Sequence, residues 1–148
     1  SNEQMMKYGF GLAVSHVQDG IARGTGVLTA LGYGTPNELI IKDKIAQFYA
    51  FDKGSSQQSY PSSQMGSIAL IRQAFYDLEA YTQKHTSTNL SLEALSAQKR
   101  LPVLFQTTDK WEILRLAKIS DEFQLSAMYL GSGDEYAALD QILALKRH

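Results

Sequence analysis

Between residues 101 and 136 the spacing of apolar positions changes period twice. Leu101-Pro102-Val103-Leu104-Phe105 is a continuous apolar run of strand length, followed by Gln106-Thr107-Thr108. From Asp109 to Phe123 the pattern becomes helical, with Ile113, Leu116 and Ala117 on one face. Asp109-x-x-Glu112 supplies a capping-box start. A second apolar run, Leu125 to Leu130, ends in Gly131-Ser132-Gly133-Asp134-Glu135. This predicts a strand–helix–strand unit of a parallel α/β protein. Such folds place functional groups at the carboxyl ends of their strands, and here those ends carry Gln106 and Gly131.

The same reading extends to the rest of the chain. Tyr8, Phe10, Leu12 and Val14 alternate with small residues, which predicts a strand over Tyr8–Ser15. Val27–Leu31, Glu38–Lys42 and Ala46–Phe51 read as further strands with short connections. Short connections favour antiparallel pairing, so residues 20–52 are expected to form a small antiparallel β meander. Residues 53–63 read as a polar loop, and Ser62 or Ser63 as a helix cap. Ile68, Ile71, Phe75 and Leu78 then mark a helix running to about Gln83. A short helix over Ser91–Lys99 follows. A last one begins near Gly133-Asp134, using Leu139, Ile142 and Leu143, with Lys146, Arg147 and His148 suiting the negative end of its dipole.

Composition adds mainly exclusions. A chain of 148 residues can bury one core. A net charge of −1 gives no electrostatic case for nucleic acid, and no apolar run approaches the about 18 residues of a membrane span. Without cysteine there is no disulfide, thiolate metal site or cysteine nucleophile.

The candidate chemistry is sparse. His16 follows the first strand, with Asp19 and Arg23 close in sequence. One His and one Asp fall short of the three protein ligands of a catalytic zinc, so a loop histidine bonded to backbone or to Asp19 is the plainer reading. His85 and His148 read as solvent groups, and the three histidines lack metal-ligand spacing. Gly20 to Gly26 is glycine-rich but lacks a phosphate-loop ending, and turn geometry explains it better. Gly131 to Glu135 could bind an anion on bare N–H groups. Asp134 and Glu135 would repel one, which favours a cap by Ser132. Tyr60, in Ser-Tyr-Pro-Ser-Ser, either lines a ligand cleft or pins its loop. Trp111 reads as a packing or interface residue.

Four segments carry a resemblance: "LPVLFQTTDKWEILRLAKISDEFQL", "DGIARGTGVL", "FDKGSSQQSYPSSQMGSIALIRQAFYD" and "GSGDEY". Together they resemble the metal-dependent amidohydrolase superfamily, in particular its imidazolonepropionase-like members, over roughly Tyr8 to Tyr136. The resemblance implies a partial (β/α)-barrel-like parallel sheet with helices, the β meander being an elaboration and residues 62–148 the β/α units. A complete barrel of this kind takes about 250 residues, so residues 1–148 are expected to be one domain, a fragment of a larger protein. Such members end the two strands in histidines that hold a divalent metal, typically zinc. The matching positions here are Gln106 and Gly131, the early His-x-His pair is absent, and no late Asp strand follows. No metal or other cofactor is therefore expected in this chain.

Three readings follow. The first is a segment of an amidohydrolase-like protein, without catalytic activity on its own, whose partner is the remainder of the parent. The second is an active C–N hydrolase completed by that remainder. The third is a small-molecule binding or oligomerisation module, since a partial barrel exposes sheet edges and apolar faces and is expected to form a homo-oligomer. Nucleic acid and membrane are not expected partners.

Overall fold

The computed structural model describes residues 2–84 and 87–145. In chain order the strands are β1 (Leu12–Ser15), β2 (Ala22–Thr25), β3 (Val27–Ala30), β4 (Ile40–Lys42), β5 (Gln47–Ala50), β6 (Val103–Gln106) and β7 (Ala127–Leu130). The helices are α1 (Asn2–Lys7), α2 (Pro36–Leu39), α3 (Gln64–Gln83), α4 (Leu90–Gln98), α5 (Lys110–Phe123) and α6 (Leu139–Leu143). A three-stranded sheet has the order β1-β3-β4, and a four-stranded sheet the order β2-β5-β6-β7. β5, β6 and β7 run parallel, and β2 is antiparallel to β5 at the edge. The molecule is thus mixed α/β. Its four-stranded sheet is open, with β2 and β7 as edges among the described residues.

The parallel strands form where the apolar runs are continuous, and they alternate as a pleated sheet must. Tyr49, Val103 and Phe105 are buried on the face that packs against α3 and α5, where they meet Ile71, Phe75, Leu78, Leu116 and Ile119. Tyr49 and Phe105 lie 5.7 Å apart, and Phe75 stacks on Phe123 at 5.1 Å. The opposite face carries Phe48, Leu104, Met128 and Leu130, and is far more open: Met128 is 47% and Leu130 54% exposed. The helix caps act locally. The Ser63 hydroxyl accepts from Gly66 N–H at 3.2 Å, and the Asp109 carboxylate from Glu112 N–H at 2.9 Å.

The meander expectation needs correction. β4 and β5 are not paired: they belong to different sheets, and the connection at Lys44, with a positive φ of 51°, carries the chain from one to the other. Gly20 to Gly26 is more than a turn. Gly20 and Gly24 do take positive φ (84° and 74°), but β2 lies within the segment, with a register irregularity between Ala22 and Thr25. Gly24 lies inside that irregularity, and glycine takes such a left-handed conformation at little cost. The strand expected over Tyr8–Ser15 shortens to β1 because the preceding chain turns out of α1 through Gly9, at φ 88°. The strand expected from Glu38 starts at Ile40, since Pro36 opens a helical turn held by Thr35 N–H donating to Glu38 Oε2 at 2.8 Å. The last helix is a 3-10 turn (Glu135–Ala138) followed by α6, and its stripe packs only in part: Ile142 is half-buried, while Leu139 and Leu143 are exposed. Lys146, Arg147, His148 and His85 lie outside the described residues.

Candidate functional site

The carboxyl ends of the parallel strands are Ala50, Gln106 and Leu130, aligned in register. Thr107 ties β6 to β7, its N–H and hydroxyl both donating to the Leu130 carbonyl at 3.0 and 2.9 Å. Ser67 of α3 donates to the Phe51 carbonyl at 2.8 Å, which fixes that helix to the end of β5. Two helix N-termini, those of α3 and α5, therefore converge on one end of the sheet.

A cleft of about 310 Å³ opens there, lined by residues that include Arg23, Asp52, Gln64, Gln106, Thr108 and Glu112. Arg23 reaches it from β2. It is only 8% exposed, donates from Nε to the Gly20 carbonyl at 2.9 Å, and donates from Nη1 to the Gln106 side-chain oxygen. Glu112, also buried, accepts from Gln64 Nε2 at 2.7 Å and from Thr108 N–H at 2.6 Å, while Arg115 donates to the Gln64 oxygen. The capping box is thus half made. Asp109 caps α5, while the Glu112 carboxylate closes on Thr108, one residue before the cap, and anchors α3 through Gln64.

The other candidates are placed apart from this cleft. His16 stacks on Phe48 with ring centres 4.0 Å apart, and its Nδ1 bonds the Val17 carbonyl at 2.8 Å. It borders the open inner face of the sheet, a cleft of about 600 Å³ shared with Leu104, Met128 and Leu130. Asp19 joins two loops, accepting from Ser55 N–H at 2.7 Å and from the Ser55 hydroxyl at 2.5 Å. The Ser55 hydroxyl, with help from its N–H, holds the Asp19 carboxyl below its ordinary value. The approach is tight enough that a Cβ on Gly54 would lie 1.8 Å from Asp19 Oδ1. Tyr60 donates to the Gly66 carbonyl at 3.0 Å and so pins its loop to the start of α3. Trp111 is half-exposed beside Lys110.

Gly131 borders a loop that has already taken up an anion, its own. The Glu135 carboxylate accepts from Ser132 N–H at 2.6 Å and Gly133 N–H at 2.9 Å. A Cβ at position 131 would lie 2.1 Å from Glu135 Oε1. The Ser132 hydroxyl donates to Asp134 at 2.8 Å, so the expected Ser132 cap is not formed: the 3-10 turn has Asp134 at its N-cap position with no side-chain cap bond.

A divalent cation does not suit these strand ends. At β6 the oxygen of Gln106 already receives a guanidinium, and at β7 there is no side chain to offer. Among the described residues no group of three or more His, Cys, Asp and Glu side chains is arranged to hold a metal. Sequence reading missed the roles of Arg23, Gln64 and Glu112 in the cleft. The capping pattern at Glu112 was a signal for one of them. Arg23 gave none beyond its place in a short Ile-x-Arg alternation.

No family model and no curated protein sequence matches the chain. Its structure is similar to that of an amidohydrolase from Thermotoga maritima, with a TM-score of 0.76 and 21% sequence identity. The match covers 92% of this chain and 40% of that one. The chain therefore has the fold of part of an amidohydrolase and spans well under half of that protein's length. Among the described residues no helix is long and apolar enough to cross a membrane.

Proposed function

We propose that the chain is a segment of an amidohydrolase-like protein, imidazolonepropionase-like in descent, that performs no hydrolysis on its own. In the intact parent it acts as scaffold to catalytic parts elsewhere. The observation that carries this reading is the substitution of function at the strand ends of an amidohydrolase-like fold. Gln106 is held by a buried arginine, and Gly131 is kept bare by a carboxylate that needs its space. Metal-activated water, the usual nucleophile of metal-dependent hydrolysis, has no ligand set among the described residues to generate it. Incubating the chain with a panel of cyclic amides and N-acyl amino acids, with zinc or manganese added, is expected to give no turnover above buffer. Metal-dependent turnover that is lost when His16 is replaced would overturn the reading.

A second reading, an association module, is favoured by the inner face, where Met128 and Leu130 are exposed beside half-buried Leu104. In a parent protein, further strands would cover it. In isolation, a second copy would. Multi-angle light scattering giving a strict monomer at all concentrations would count against self-association.

A further inference from the structure

Arg23 is buried, yet it takes part in neither of the ion pairs among the described residues, Arg72–Glu122 and Lys110–Asp134. Its hydrogen bonds there go to two neutral oxygens, those of Gly20 and Gln106. A guanidinium carries five N–H donors in a planar fork shaped for a carboxylate, and Asp19, which feels the Arg23 charge through space, spends its hydrogen bonds on Ser55 instead. The contact also orients Gln106: with its oxygen turned to Arg23, its amide NH₂ is left as a second donor in the same cleft. The start of the 20-residue α3, with no acidic residue in its first turn, adds positive potential from the same side, whereas that of α5 is already met by Asp109 and Glu112. Two carboxylates, Glu112 and Asp52, share the cleft with Arg23 but make no ion pair with it. Both Glu112 oxygens accept hydrogen bonds, and exposed Asp52 accepts from Gly54 N–H at 2.9 Å.

We propose that this cleft binds a small carboxylate, held by the Arg23 fork and the Gln106 amide at the carboxyl end of β6. The fixed guanidinium selects an oxyanion without any metal. This does not depend on whether a parent protein hydrolyses C–N bonds.

The test is an NMR titration of the whole chain with sodium acetate at constant ionic strength, with methylammonium chloride as the probe of opposite sign. Acetate should saturate the Gln106 side-chain amide and Thr108 N–H signals with a Kd on the order of 1 mM, as suits so small a ligand. Arg23→Gln should weaken binding by about tenfold or more, and Arg23→Lys should weaken it less. Gln106→Glu keeps the shape of the side chain and fills the fork from within, so it should block acetate in a protein that stays folded. No saturable response to acetate, a response unchanged in Gln106→Glu, or saturation by methylammonium in its place would overturn the proposal.

Discussion

Arg23 donates to the side-chain oxygen of Gln106, a residue 83 positions away in sequence, and so joins the edge strand β2 to the end of β6 across β5. The contact decides how the end of the sheet can be used. It puts a permanent positive charge and a pre-oriented amide where the alignment of parallel strands places functional groups. It also makes the antiparallel edge strand part of the site rather than an ornament of it.

Phe105 is fully buried at the centre of the sheet, against Tyr49, Tyr129 and the two long helices. Phe105→Ala leaves a cavity that the rigid sheet cannot collapse. A loss of about 3–5 kcal/mol is expected, as for other buried phenylalanines. Urea unfolding followed by circular dichroism measures it.

Gly131 and Glu135 are coupled by space. Gly131→Ala must push the Glu135 carboxylate off the Ser132 and Gly133 N–H groups, and Glu135→Ala removes the same bonds directly. Each is expected to cost about 1 kcal/mol. The double variant should cost little more than either alone, because the two changes destroy one interaction. Full additivity in a double-mutant cycle would show that the loop is not organised by that carboxylate.

Asp19 titrates below its ordinary value of 3.8, first because the Ser55 hydroxyl bonds its charged form. With the folded value below the unfolded one, the contribution of this contact is present above about pH 4 and is lost as pH falls through the folded value. Carboxyl-detected NMR should find the Asp19 midpoint below 3.8. In Ser55→Ala the midpoint should move up toward that ordinary value. An unmoved midpoint would mean that Ser55 is not the cause.

Tyr49 sits in the core with its hydroxyl donating to Gln47 at 3.0 Å, and burial pushes its pKa up to about 12 from 10.0. The folded value lies above the unfolded one. Stability from this group is therefore whole below pH 10 and is lost as pH rises toward 12. Tyr76 and Tyr129 are raised as well, so phenolate absorbance at alkaline pH should show a late phase to which Tyr49 contributes, and Tyr49→Phe should reduce its amplitude.

Much of the fold was legible because periodicity and burial coincide in it. The helices α3 and α5 and the strands β6 and β7 follow from Ile71, Phe75, Leu78, Ile113, Leu116 and the two apolar runs, which are core residues or flank the core. Periodicity misled where nothing among the described residues covers the apolar stripe, as at Leu139 and Leu143. The expected pairing of β4 with β5 rested on a short connection. Connection length does not reveal that the chain changes sheets at Lys44. Within the site, Gln106 and Gly131 could be placed because strand ends follow from strand boundaries. The Arg23 contact could not, because it depends on a glycine-rich edge strand with little apolar signal and on a partner far along the chain.

The most direct test of the central claim, that these strand ends are built without metal chemistry, is the metal content of the purified chain. Elemental mass spectrometry after expression with zinc, manganese and iron supplied should find metal far below one equivalent per chain. About one equivalent, retained through dialysis and lost in His16→Ala, would contradict the account and make His16 a ligand of a real metal centre.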